Sequence, residues 1–155
     1  MSVDVGSKAP DFTLTSHERQ PVTLSAHGGR PVVLAFFPAA LSSVCAKELC
    51  TFRDSLGELD RANAQVFGIS VDSPFSQEAW AKQESLNFPL LSDFNRQAST
   101  AYGALYEDLI GFKGVSKRSA FVIDRQGVVR YASVSDDAKK LPDFNAIKAC
   151  LASLS

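Results

Sequence analysis

The stretch Pro31-Val32-Val33-Leu34-Ala35-Phe36-Phe37-Pro38-Ala39-Ala40-Leu41-Ser42-Ser43-Val44-Cys45-Ala46-Lys47-Glu48-Leu49-Cys50 carries two patterns in direct succession. Pro31 to Phe37 is almost wholly apolar and of strand length, the pattern of a strand buried on both faces and therefore of a central strand. From Ser42 to Asn63, the residues Val44, Leu49, Phe52, Leu56 and Leu59 recur mostly at three- to five-residue steps with charges between them, which predicts an amphipathic helix. A buried strand, a short loop and a helix start thus meet just ahead of Cys45, which falls in the first turn of that helix.

Upstream, Phe12-Thr13-Leu14 and Val22-Thr23-Leu24 alternate apolar and polar residues around the polar stretch Ser16 to Gln20, predicting a small N-terminal hairpin. Downstream, Val66 to Val71 reads as a second buried strand. Asp72 or Ser73 followed by Pro74 is a helix start, because a short polar side chain caps free N–H groups and proline suits the first turn; that helix is expected to reach about Leu86. Phe88 to Leu91 predicts a short strand and Arg96 to Tyr102 a short helix. Ser119 to Ile123 and Val128 to Val134 read as strands joined across Asp124-Arg125-Gln126-Gly127, and a last helix follows Pro142. This order mixes parallel crossovers with antiparallel pairs, for which a three-layer α/β architecture around a mixed sheet is the natural solution.

The chain of 155 residues, 45% apolar with eleven Phe, has material for one packed core, and a single domain over residues 1–155 is expected. Sixteen basic against seventeen acidic residues leave a net charge of −1, which supplies no general attraction to nucleic acid or to an anionic membrane. Met1 to Lys8 lacks the apolar core of a signal peptide, and no apolar run approaches the roughly 20 residues that span a bilayer, so a cytoplasmic location is expected. Three cysteines in such a chain point to reactive or buried thiols rather than structural staples.

At the start of a helix, open backbone N–H groups and the positive end of the dipole favour a thiolate over a thiol. A free cysteine is only about 3% ionised at pH 7, and a shift worth ~3.4 kcal/mol makes the anion dominant. One helix end supplies less than that, so a cation from elsewhere in the chain is expected beside Cys45.

Pro38, Ser42 and Cys45 reproduce a spacing in which proline is followed four residues on by a hydroxyl residue and three further on by cysteine, and this stretch closely resembles the active-site motif of the peroxiredoxins. Phe36-Phe37 and the run from Cys45 to Cys50 resemble the Q-type, or bacterioferritin-comigratory, subgroup. Arg118, just ahead of Ala120-Phe121-Val122-Ile123-Asp124, stands where that family has an arginine, and Pro10-Asp11-Phe12 and Phe88-Pro89-Leu90-Leu91-Ser92-Asp93 extend the likeness over nearly the whole chain. The resemblance implies a thioredoxin-like fold, no cofactor or metal, and a thiol-dependent peroxidase acting on hydrogen peroxide and organic hydroperoxides, as a monomer or homodimer.

The same resemblance implies the roles. Cys45 attacks a peroxide oxygen and becomes sulfenic acid, which Cys50 resolves as a disulfide for a thioredoxin-type dithiol protein to reduce. Ser42 offers a hydroxyl that both donates and accepts, Arg118 a permanent cation with five donors, and Pro38 a lid without an N–H; Glu48 orients Arg118. Two positions depart from the family pattern: Ser42 stands where threonine is more usual, losing a methyl but keeping the hydroxyl, and Ala46 stands where a small polar residue is common.

Residues five apart in a helix lie roughly 8.6 Å apart at Cα and point about 140° away from each other. A disulfide tolerates only about 7 Å, so pairing of Cys45 with Cys50 requires the first turns of the helix to unwind. Cys150, among Phe144, Ile147, Leu151 and Leu154, reads as packing, as does Trp80; His17, His27, Lys113 and Lys117 read as surface residues. Two other functions remain open at this point. A thiol–disulfide oxidoreductase also carries a reactive cysteine at a helix start, although its usual signature has two intervening residues rather than four. A redox sensor or holdase switched by Cys45 oxidation is the other.

Overall fold

The structure, a computed structural model, describes residues 3–40, 43–55 and 63–154. Among the described residues, seven strands form one sheet in the order β2-β1-β5-β4-β3-β6-β7. They are β1 (Thr13–Ser16), β2 (Pro21–Thr23), β3 (Val32–Phe36), β4 (Gln65–Ser70), β5 (Leu90–Ser92), β6 (Ser119–Ile123) and β7 (Val129–Val134). The pairs β3–β4 and β4–β5 are parallel; β1–β2, β1–β5, β3–β6 and β6–β7 are antiparallel, giving the mixed sheet expected from the element order. Among the described residues the helices are α1 (Ser43–Asp54), α2 (Pro74–Gln83), α3 (Gln97–Ala101) and α4 (Phe144–Ser153), with a 3-10 turn at Leu24–His27.

β3 lies inside the sheet and all five of its residues are buried, because the two faces of the strand serve two cores. Val33, Ala35 and Phe37 point into one core with Leu49 and Phe52 of α1, Trp80 of α2, and Ile147 and Leu151 of α4. Val32, Leu34 and Phe36 point into the other, with Phe12, Leu24, Ala98 and Tyr102. Tyr102 centres that second core: its ring meets Phe12, Phe36 and Phe121 at 6.2, 5.6 and 5.1 Å, and its hydroxyl donates to the Pro10 carbonyl at 2.6 Å. The uninterrupted apolar run is therefore a strand with helices α1, α2 and α4 on one side and α3 with the N-terminal segment on the other.

Helix starts follow the local chemistry. Ser73 caps α2 by accepting the Ser76 N–H at 3.2 Å, Asp143 caps α4 through Ala146 N–H at 3.0 Å, and Asp93 accepts Ala98 and Ser99 N–H at 3.0 and 2.7 Å ahead of α3. Most boundaries shift by a residue, and two shift further. α2 stops at Gln83 rather than Leu86, because Ser85 takes a left-handed φ of 53° that ends the helix. β5 begins at Leu90 rather than Phe88. The predicted helix through Asn63 is described as far as Asp54, its Leu56 and Leu59 lie outside the described residues, and Asn63 itself has a φ of 57° and stands outside any helix. No helix of the described residues is long and apolar enough to cross a membrane.

Three predicted surface residues are more engaged than expected. His27 sits in the 3-10 turn with its ring 5.0 Å from Phe67, and His17 Nδ1 accepts the Leu90 N–H at 3.1 Å. Lys117 pairs with Asp136 at 2.7 Å and lies over the Tyr106 ring, so it is not simply solvated. Cys150 and Trp80 are packed as expected, Trp80 being fully buried 5.2 Å from Phe37.

Candidate active site

Sheet register brings the distant parts of the site together. In the antiparallel pair β3–β6, Phe36 faces Ser119, so the residue before β6, Arg118, stands beside the end of β3 where the chain turns toward α1. Cys45 is the third residue of α1, with no exposed surface. The expected cation is Arg118: its Nη2 donates to Cys45 Sγ at 3.0 Å.

Arg118 is held on three sides. Nη1 donates to Glu48 Oε1 at 3.1 Å, Nε donates to the Ala138 carbonyl at 2.7 Å, and the Arg118 carbonyl accepts the Ser135 N–H at 3.0 Å. A guanidinium has a planar fork of donors, so these contacts fix its plane and direct Nη2 onto the sulfur. Burial works against the Arg118 charge, but the Glu48 carboxylate and the Cys45 sulfur outweigh it, and the pKa stands above its ordinary value.

Glu48 lies one helical turn beyond Cys45 and is fully buried. Burial pushes its pKa up to about 7, against the pull of Arg118, and its second oxygen, Oε2, has no hydrogen-bond partner among the described residues. A carboxyl group satisfied on one oxygen only is poorly compensated for its lost hydration, which is the physical reason for the upward shift.

Pro38 is buried in the turn after β3. Ser42 lies outside the described residues. The turn is fixed by Asp72, the candidate cap that α2 leaves unused in favour of Ser73: its Oδ2 accepts the Ala40 N–H at 2.7 Å and the Ser70 hydroxyl at 2.6 Å. Ser92 donates to the Asp72 carbonyl at 2.6 Å, so the ends of β4 and β5 brace the loop that leads into α1. Cys50, on the same helix as Cys45, is half-buried, and its thiol donates to Glu84 Oε2 at 3.3 Å; burial and this carboxylate raise its pKa. Neither the Asp72 bond to residue 40 nor the Glu84 bond to residue 50 has a signal in the sequence, since each joins positions more than thirty residues apart.

A buried cysteine at a helix start, bonded by an arginine that a carboxylate aims, is a site for an anionic sulfur and for charge developing on a substrate oxygen. The family model described as AhpC/TSA matches residues 5–132. The chain belongs to the AhpC/TSA family, the peroxiredoxins. It is a thiol-dependent peroxidase. Alkyl hydroperoxide reductase E of Mycobacterium tuberculosis is 40% identical over 135 residues, 85% of this chain and 86% of that protein. The chloroplastic peroxiredoxin Q of Sedum lineare is 42% identical over 128 residues, 83% of this chain and 67% of that protein. Among solved structures, the peroxidoxin BcpB of Mycobacterium tuberculosis superposes with a TM-score of 0.87 at 32% identity, covering 97% of each chain. The bacterioferritin comigratory protein of Xanthomonas campestris does so with a TM-score of 0.85 at 27% identity, covering 97% of this chain and 98% of that one. The expected Q-type resemblance and thioredoxin-like three-layer fold of this peroxiredoxin both hold.

Proposed function

We propose that Cys45 is the peroxide-attacking thiolate of this peroxidase and Cys50 the thiol that resolves it. The observation that carries the first role is the Arg118 contact to Cys45 Sγ at 3.0 Å, made by a guanidinium already pinned by Glu48 and Ala138. The thiolate attacks one peroxide oxygen, the O–O bond breaks, and the other oxygen leaves with the electron pair and takes a proton to become water or an alcohol. Arg118 stabilises both the thiolate and the spreading charge on the oxygens, Pro38 limits water at the sulfur, and the Ser42 hydroxyl exchanges hydrogen bonds with the peroxide.

Cys50 then attacks the sulfenic sulfur and gives a disulfide with loss of water. Helix geometry holds residues five apart too far separated for a disulfide, so the first turns of α1 open in this step and reform after reduction. A thioredoxin-type dithiol protein in a reducing, cytoplasmic compartment regenerates the thiols by exchange. Hydrogen peroxide and organic hydroperoxides are the substrates, a reading supported by the name of the mycobacterial alkyl hydroperoxide reductase E.

The test is to treat the reduced protein with one equivalent of hydrogen peroxide and map its cysteines by mass spectrometry, beside Cys50→Ser. A Cys45–Cys50 disulfide is expected in the wild type and Cys45 sulfenic acid in the variant. Reduced Cys45 after peroxide is consumed overturns the first role, and a free Cys50 beside sulfenic Cys45 in the wild type overturns the second.

A further inference from the structure

Glu84 follows α2 and receives two donors from α1. Its carboxylate accepts the Cys50 thiol at 3.3 Å, and its backbone carbonyl accepts Arg53 Nη1. Glu84 is anchored by its own N–H to the Trp80 carbonyl at 2.9 Å, which fixes it at the C-terminal end of α2. Among the described residues, Asp54 and Arg53 are the other charged groups acting on Cys50, and they bond to each other at 2.9 Å.

We propose that Glu84 is a positioning residue for the resolving step: its carboxylate latches the Cys50 thiol into the folded helix, and release of that contact governs how fast Cys50 captures the Cys45 sulfenic acid. This rests on the reading of Cys50 as the resolving thiol. Resolution forms the S–S bond as the S–O bond of the sulfenic acid breaks. The departing hydroxide takes up the proton that Cys50 gives away and leaves as water. The sulfenic sulfur is reduced and Cys50 oxidised by the same electron pair, so no further oxidant is consumed.

The nucleophile in this step is the thiolate, and a thiol that donates its hydrogen to a carboxylate is held in the unreactive form. The same bond must break before Cys50 can travel toward Cys45. Glu84 therefore acts twice in one direction, on protonation and on position, and both delay resolution. The consequence is a longer-lived sulfenic acid, open to a second peroxide that carries it to sulfinic acid.

Glu84→Gln tests this while leaving the backbone acceptor of Arg53 in place. Rapid mixing with peroxide, followed by the fluorescence of the single tryptophan, Trp80, and by quenched mass spectrometry, separates attack from resolution. The attack phase is expected to be unchanged. Resolution is expected to accelerate roughly three- to tenfold, the scale of one ordinary hydrogen bond, because Gln keeps a neutral acceptor and loses only the charge. Its rise with pH should begin at lower pH, and less sulfinic acid should form in excess peroxide. Glu84→Asp, which keeps the charge but withdraws it from Cys50, is expected to resemble Glu84→Gln and carries the test if that variant does not fold. Unchanged or slower resolution in the variants overturns the latch, slower resolution marking Glu84 as a base instead. Absence of a Cys45–Cys50 disulfide in the wild type overturns the underlying assignment of Cys50, and the latch with it.

Discussion

Arg118 Nη2 lies 3.0 Å from Cys45 Sγ, although the two residues are 73 positions apart in the chain. The contact exists because β6 pairs with β3 in a register that sets Ser119 against Phe36, at the strand end from which the chain passes to α1. The cation that a helix end alone cannot replace thus arrives from the neighbouring strand.

Replacing Arg118 by Lys keeps a charge but loses the planar fork that meets Cys45, Glu48 and Ala138 together. The rate constant for reaction of Cys45 with peroxide is expected to fall by roughly 10²- to 10³-fold, the scale of losing a preorganised donor at a developing charge. Stopped-flow kinetics under single turnover measure it directly. A rate within about threefold of wild type would mean that a point charge is sufficient and that the fork has no role.

Glu48 makes stability depend on pH. Its folded pKa of about 7 exceeds the ordinary 4.5, so between these values the unfolded chain releases a proton that the folded protein keeps. The contribution is complete below pH 4.5, is lost as pH rises through the window, and is level above 7, a change of about 3 kcal/mol at 1.36 kcal/mol per pH unit. Glu48→Gln cannot titrate. Urea unfolding at pH 5 and pH 7.5 is expected to show the wild type losing stability relative to the variant at the higher pH, and equal differences at both would place the Glu48 pKa in the normal range.

Asp72 braces the loop before α1 without touching the sulfur. Asp72→Ala leaves the Ala40 N–H and the Ser70 hydroxyl without their acceptor, at a cost of about 1–3 kcal/mol. Peroxide turnover is expected to fall while a Cys45–Cys50 disulfide still forms, as measured by steady-state rates and by mass spectrometry of the oxidised protein. Unaltered turnover would show that the Pro38 turn holds its shape without this bond.

Gly68 on β4 marks where α1 sits down on the sheet. A Cβ there would lie 2.7 Å from Leu90 Cδ2, 3.4 Å from Phe37 and 3.5 Å from Leu49 of α1, in a fully buried region. Gly68→Ala is expected to lower unfolding free energy by about 1–3 kcal/mol through overpacking. Denaturant titration checks this, and a neutral result would mean that Leu90 finds another rotamer.

The sequence by itself determined the parts that local physics controls. The apolar run at residues 31–37 had the pattern of a strand buried on both sides, and Asp72 or Ser73 ahead of Pro74 announced a helix start that the structure places at Ser73; the candidate thiol, Cys45, came from the resemblance of Pro38, Ser42 and Cys45 to a family motif. Arg118, by its place ahead of a strand, and Glu48, as its partner, were legible only through the family resemblance. Only the tertiary structure decided how these groups meet. The Ala138 carbonyl, the Asp72 brace and the Glu84 contact to Cys50 all join segments distant in the chain, through hydrogen bonds that depend on strand register and helix packing. Periodicity reports which face of an element is buried, and it is silent on which polar group from another element will arrive there, because a hydrogen bond needs placement to a few tenths of an ångström and that is set by the packing of the whole core.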